Sequence, residues 1–480
     1  MTALEERGHF WWDDEAVPHA EDPTTTVTGL LRISDEGVID LELDATLPSG
    51  QHPFAAFVDR KPAGKFIRGI LKGSSTYVLL CDLQKNGGSV RSHGVSYENY
   101  RAAKCLVGDR DTTRAAQLSR FKRLEISLKG FEQWLWLNSI DITRNETELT
   151  AKYLKPDDLT CAMEGGRLSI HYDLTGPWGP QKTGTARLDE SASLIFTSDD
   201  HFQFERFRDL HGYVSDLLLL LTGSNYNVDW PTISTTDQGQ GACTLYFQRA
   251  KCDPGSPKIH ECWVLFPKVR QLFGELFSNW TAKREEYRLG FALYLATRRG
   301  VPLYIEHRFV SLVWGIETFH RRKYPDTSTS AKLMKKIDRI LGDLKLPKDR
   351  KWLANRLKDA HEPSLESRIV QVFSDLDIGL DEDLLKQFAT ECAARRNDLS
   401  HFGGQREQGD YQEFMLDLRN KSEALSYLYH ALLLNEIGLD RAVLRNAIDN
   451  GGLSFKFRMA LEQAKLRKPT SEPPVSVSGL

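Results

Sequence analysis

Between residues 26 and 200 apolar and polar positions alternate in short runs, and beyond residue 267 the period lengthens to that of a helix. The clearest alternation is Thr28-Gly29-Leu30-Leu31-Arg32-Ile33-Ser34, a turn at Asp35-Glu36-Gly37, then Val38-Ile39-Asp40-Leu41-Glu42-Leu43. That pattern predicts a hairpin. Further runs predict strands over 66–71, 76–83, 123–128, 132–137, 148–153, 168–172 and 193–196, with breaks at Gly, Pro, Asn and Asp. Such strands pack most economically as a sandwich or a curled antiparallel sheet. From Phe202 the apolar positions Phe207, Leu210, Val214, Leu217, Leu218 and Leu221 fall at helical spacing and stop at Gly223. A strand over 244–248 and a Pro/Gly/Lys loop over 251–258 follow. Helices are then predicted over 269–278, 284–296, 303–322, 330–341, 350–360, 365–375, 382–401, 411–437 and 439–447.

The fold class expected is therefore α+β. A β-rich antiparallel N-terminal domain occupies 1–264, a helical connector 265–300, and an all-α helical bundle 301–450. The proline- and serine-rich stretch 468–480 is expected to be a disordered tail.

Composition narrows the setting. The first residues carry neither a basic segment nor an apolar core of a secretory signal, and the longest apolar run, 217–221, is far too short to cross a bilayer. Seven cysteines are too few for a disulfide framework in 480 residues. A cytoplasmic protein with no membrane partner is expected. Cys243, Cys252, His260 and Cys262 include no CxxC pair, and Gly239-Gln240-Gly241 lacks the setting of a nucleotide loop, so neither metal nor cofactor is expected. Phe10, Trp11 and Trp12 are expected in the core or at a domain boundary. The net charge of −3 is unevenly spread: residues 1–50 hold twelve Asp/Glu and two Lys/Arg, whereas 321–358 hold thirteen Lys/Arg and four Asp. The second stretch suits a polyanion, although a charge run alone is more simply a solvated helical face.

Candidate chemistry lies in an Arg-x4-His pattern. With 36 Arg and 13 His in the chain, about one such pair arises by chance, and there are three: Arg206/His211, Arg356/His361 and Arg396/His401. The first sits mid-helix beside Phe207 and Leu210, as part of the polar face of a packed helix. The second belongs to the basic stretch, just before Pro363. The third stands apart. Asn397 and His401 share a helical face, Arg396 lies about 140° round from His401, and Gly403-Gly404 follows to end the helix. Asp381-Glu382-Asp383 opens the same helix, placing charges of the right sign at both ends. An imidazole there can take a proton from a ribose 2′-hydroxyl or give one to a leaving 5′-oxygen. A guanidinium can pair with the phosphate and offset charge developing on it. Asn397 can hold the imidazole or touch the phosphate.

Arg396-Asn397-x3-His401 at a helix end, within a helical C-terminal module, resembles the signature of HEPN ribonucleases. Gly8-His9-Phe10-Trp11-Trp12 ahead of the 26–43 hairpin is similar to the opening strands of ApeA-type abortive-infection proteins of anti-phage defence. The resemblance spans most of residues 7–450. It implies a metal-independent endoribonuclease acting on RNA, with tRNA one candidate, and a homodimer that brings two motifs together. It further implies an N-terminal sensor or regulatory domain awaiting a phage trigger. Glu317 is the best match to a supporting acidic residue from an earlier helix, and Arg395 to a second phosphate contact. The alternative is a non-catalytic HEPN module that binds nucleotide or RNA, or acts in the manner of an antitoxin.

Overall fold

The computed structural model describes residues 2–13, 26–48, 65–89, 91, 94, 96–114, 118, 120–128, 130–177, 186–225, 228–249, 257–299, 302–325, 331–357, 362–402, 404–405 and 409–469. Residues 470–480 of the expected tail 468–480, together with His361, Gly403 and Cys252, lie outside them. The chain divides into two compact units, one of residues 1–215 and 226–257, the other of residues 216–225 and 258–480. The α+β class holds, with antiparallel strands first and helices after.

In the first unit the strands are β1 (Thr2–Trp12), β2 (Val27–Ser34), β3 (Ile39–Leu43), β4 (Phe66–Leu71), β5 (Tyr77–Ser89), β6 (Tyr97–Gly108) and β7 (Phe121–Ser127). After a short helix α1 (Phe131–Leu135) come β8 (Ile140–Arg144), β9 (Leu149–Tyr153), β10 (Leu159–Met163), β11 (Gly166–Thr175) and β12 (Asp189–Phe202). Helix α2 (Phe204–Thr222) and strands β13 (Thr232–Ser234) and β14 (Cys243–Phe247) follow. Twelve strands form one sheet in the order β10-β11-β12-β7-β13-β14-β6-β3-β2-β1-β4-β5, and β5 pairs again with β6. The last six strands thus close into a barrel. Strand β6 makes closure possible because β5 runs along one edge, while β3 (at 99–102) and then β14 (at 104–108) share the other.

The expected hairpin is the β2–β3 pair, with Leu31 opposite Leu41 and Ile33 opposite Ile39. Its turn needs a residue in the left-handed region: Gly37 has φ 77°, and a Cβ there would lie 1.9 Å from the Phe247 carbonyl oxygen. Alternate side chains point inward, so the barrel fills with Phe10, Trp12, Leu31, Ile33, Leu41, Ile67, Val78 and Leu80. Trp11 is buried too.

The expected strand at 132–137 is instead helix α1 with a left-handed Trp136 after it. Over six residues, alternation and i, i+3, i+4 spacing overlap. Phe131, Trp134 and Leu135 bury the helical way, while Trp136 stays 47% exposed.

The second unit takes in the last turns of α2 and the helices α3 (Phe273–Tyr287), α4 (Leu289–Arg298), α5 (Ile305–Lys323), α6 (Ala331–Asp343), α7 (Pro347–Arg356), α8 (Leu365–Ser374), α9 (Glu382–Phe402), α10 (Tyr411–Glu436), α11 (Arg441–Asn450) and α12 (Ser454–Gln463). The break expected between 278 and 284 falls later, at Arg288 (φ 45°), because buried Trp280 and Tyr287 carry α3 onward. Helix α5 packs on α4, α8, α9 and α10. Two glycines allow the closest approach. The Tyr429 hydroxyl donates to the Gly290 carbonyl, and a Cβ on Gly315 would sit 2.9 Å from that hydroxyl oxygen. No helix among the described residues is long and apolar enough to cross a membrane.

Candidate active site

Helix α9 carries the motif. Its first turn is capped by Asp381, whose Oδ1 accepts from the backbone N–H groups of Asp383 and Leu384, each at 3.0 Å. Leu385, Phe388, Ala389 and Cys392 are buried along one face. Arg396 stands one turn past Cys392 on that same row, so the guanidinium is directed inward rather than out beside Asn397 and His401. The helix ends at Phe402, where the Gly404 N–H donates to the Asp398 carbonyl at 3.4 Å.

Inward lies α5. Arg396 Nη2 donates to Glu317 Oε2 at 3.4 Å and Nη1 to Asn397 Oδ1 at 3.2 Å. The structure therefore brings Arg396, Asn397 and Glu317 together. Arg396 Nε is buried without a hydrogen-bond partner among the described residues. Asn397, Ser400 and His401 are exposed on the outer face, and no side-chain hydrogen bond or ion pair joins His401 to the other four residues. Arg and His of one copy thus diverge, as the helical geometry requires.

Arg395 faces another way. It donates to Asp417 Oδ2 at 2.7 Å and Asp398 Oδ2 at 3.5 Å, with its guanidinium 5.0 Å from the Phe414 ring centre. Asp417 also accepts from buried Lys421, which pairs with Glu391 at 2.8 Å. Burial works to raise the Asp417 carboxyl, but hydrogen bonds from Lys421 and Arg395 outweigh it and hold the carboxyl below its usual range.

Behind Glu317 runs a chain of charges that the motif gave no reason to expect. Glu317 Oε1 accepts from Arg321 at 3.2 Å, and Arg321 reaches Glu362 at 2.5 Å. Glu362 also accepts from Arg368 at 2.8 Å, and Arg368 Nη1 donates to His320 Nδ1 at 3.1 Å. His320 must then donate from Nε2 to Gln371 Oε1 at 2.8 Å. Burial drives the His320 pKa down; the Gln371 bond opposes this, and the Arg368 and Arg321 charges add to it. The i, i+3, i+4 spacing of Glu317, His320 and Arg321 was the available signal.

Beside the motif, Leu399 and Ser400 join Tyr304, His307, Val310 and Trp314 around a cleft of about 630 Å³. Tyr304 is 79% and Trp314 47% exposed. Of the other Arg-x4-His pairs, His211 is buried rather than on a polar face, 5.1 Å from the Phe247 ring and 3.2 Å from the Asp229 carbonyl.

Comparison with known proteins agrees with this architecture. The family model for ApeA N-terminal domain 1 matches residues 5–280, and that for Apea-like HEPN matches residues 310–443. Neither the curated proteins nor the solved structures yielded a match. The first match alone covers more than half of the chain, and the second contains α9 and its motif, so the chain belongs to the ApeA family, with an ApeA N-terminal domain followed by an Apea-like HEPN domain.

Proposed function

We propose that this protein is an abortive-infection endoribonuclease whose HEPN unit cuts RNA, tRNA among the candidates. The carrying observation is the division of labour on α9: Arg396 is drawn inward by Glu317, while His401 is left exposed one turn on. The substrate's own 2′-oxygen attacks phosphorus and the P–O5′ bond breaks, giving a 2′,3′-cyclic phosphate and a 5′-hydroxyl. His401 moves the proton, Arg396 meets the charge on the phosphoryl oxygens, and Asn397 orients one or the other. No metal is required when the nucleophile is intramolecular, and DNA is refractory for want of the 2′-hydroxyl. Because Arg396 and His401 diverge within one copy, the working site is composite, formed where two copies meet about a two-fold axis.

Helices α6 and α7 supply the RNA grip. Lys335, Lys336, Arg339, Lys345, Lys348, Arg350, Lys351 and Arg356 are exposed, against Asp338, Asp343 and Asp349. Arg350 ties the pair by donating to the Leu341 carbonyl at 2.9 Å. The N-terminal unit restrains the nuclease until infection. Expressing residues 216–480 alone should then be more toxic than the full chain at equal soluble level, and equal toxicity counts against restraint. That fragment keeps Asp216, which pairs with Arg284 and Arg299.

The deciding experiment incubates the purified full chain with total RNA in EDTA. Cleavage should appear, and vanish in His401→Ala and Arg396→Ala with folding intact. A second reading, a non-catalytic RNA-binding module, draws on the lack of a hydrogen bond between Arg396 and His401. It predicts binding without cleavage in the same assay.

A further inference from the structure

Within the helical unit, away from α9, a partly enclosed cavity of about 220 Å³ lies against the ends of α4 and α12 and the middle of α10. That is well above the roughly 10–15 Å³ that holds one water. Its floor is His430, and the hydrogen bonds there fix the tautomer. Nε2 lies 2.7 Å from the Leu220 carbonyl, which can only accept, so Nδ1 is unprotonated and accepts from the Tyr294 hydroxyl at 2.6 Å. Trp263 stacks on the imidazole, with centroids 4.2 Å apart and planes within 6°. The floor is thus neutral, and its own polar atoms are used up.

The walls are different. Arg298 lines the cavity and donates from Nη2 to the Gly223 carbonyl at 3.0 Å, yet its Nε is buried without a partner. No carboxylate pairs with Arg298 among the described residues, whereas the adjacent Arg299 is paired with Asp216. Ser426 is only 3% exposed, and its hydroxyl leans toward the Tyr294 hydroxyl without reaching hydrogen-bond geometry. The Tyr294 hydroxyl donates to His430 and so offers no proton to a ligand. At the mouth Lys456 is 3.9 Å and Lys258 3.7 Å from Glu261, the one acid of the lining. The lining therefore has two cations, Arg298 and Lys456, for a single carboxylate that a further lysine also contacts. A guanidinium N–H and a hydroxyl held out of water without a well-formed acceptor cost free energy unless something accepts from them.

We propose that this cavity binds a small oxyanion, a carboxylate or a phosphate ester on a compact organic body. Arg298 and Ser426 bind the oxygens, and Lys456 closes over the charge. The site is independent of the ribonuclease reading, so either can fail without the other.

The test is isothermal calorimetry on the full chain at fixed ionic strength with two probes, inorganic phosphate and benzoate, which separate the two sources of the charge. At least one probe should bind saturably with one site per chain. Ser426→Ala should weaken that binding about tenfold or more, in line with loss of one hydrogen bond to a charged group. Arg298→Gln should weaken it further, and the surface variant Lys152→Gln, in β9, should leave it unchanged. Should Arg298→Gln fail to fold, the milder Ser426→Ala decides alone. Absence of saturable binding by either probe, meaning a cavity that holds water only, overturns the proposal, and so does unchanged affinity in Ser426→Ala.

Discussion

His430 makes the helical unit sensitive to mild acid, by an amount that follows from its surroundings. The imidazole is 1% exposed and its pKa is pushed down to about 3, by burial first and then by the Arg298 charge, against the opposing bond to the Leu220 carbonyl. In the unfolded chain the same group titrates near about 6.5. The folded state therefore resists a proton that the unfolded state accepts. The stability that neutral His430 contributes is complete above pH 6.5 or so and is lost progressively as pH falls toward the folded value. Each pH unit in that window costs about 1.4 kcal/mol, so moving from neutral to pH 5 removes roughly 2 kcal/mol. Most carboxylates titrate below that pH, which leaves the window to histidines. Urea unfolding followed by far-ultraviolet circular dichroism, at pH 7.5 and pH 5, should show wild type losing about 2 kcal/mol more than His430→Asn. Tyr294→Phe, which removes only the donor to Nδ1, should keep the acid sensitivity. Equal losses in wild type and His430→Asn would refute the reasoning, because the imidazole would then be charging inside the fold at no cost.

Glu317→Gln keeps the shape of the Arg396 contact and removes its charge; with the two side chains 24% and 21% exposed, stability should change by about 1 kcal/mol or less. RNA cleavage should fall about tenfold because Arg396 loses its anchor, and an unchanged cleavage rate with a shifted melting temperature would make the pair purely structural. Replacing Lys335, Lys336, Lys348 and Lys351 together by Gln should lower the slope of log affinity against log salt by about 3 for single-stranded RNA, read by filter binding between 50 and 200 mM KCl. A retained slope would move the RNA grip elsewhere. Gly315→Val should cost about 1–3 kcal/mol, since even its Cβ would meet Tyr429 at 2.9 Å, whereas Gly342→Ala, with nothing within 4 Å, should be neutral or gain up to about 1 kcal/mol.

What the chain revealed in advance tracks how local each cause is. The β2–β3 hairpin was legible because alternation and a glycine turn are neighbours in sequence. Strands β1 and β6 were not, for a long-range reason. The first half of β1, Thr2 to Arg7, is mostly polar yet pairs along β2, and β6 mixes Ala102 and Ala103 with Arg101 and Lys104 yet is held between β5 and β3. Tertiary pairing overrode weak local pattern. At the candidate site, helix geometry alone placed Arg396 and His401 on different faces. It could not supply Glu362, Arg368 and Gln371, which meet α5 only once α8 has folded against it.

Strand β6 also sets an order in time. Every pairing that closes the barrel, β1 with β2 and β4, β3 with β2 and β6, and β5 with β4 and β6, is made within the first 108 residues. His401 lies 293 residues beyond Gly108. At a synthesis rate of about 5–20 residues per second, roughly 15–60 s separate the two on the ribosome. That is ample for a barrel of this size to close, so each nascent chain carries a finished barrel before its motif exists. A cell that makes this protein never holds a young chain with α9 made and the barrel still unsynthesised.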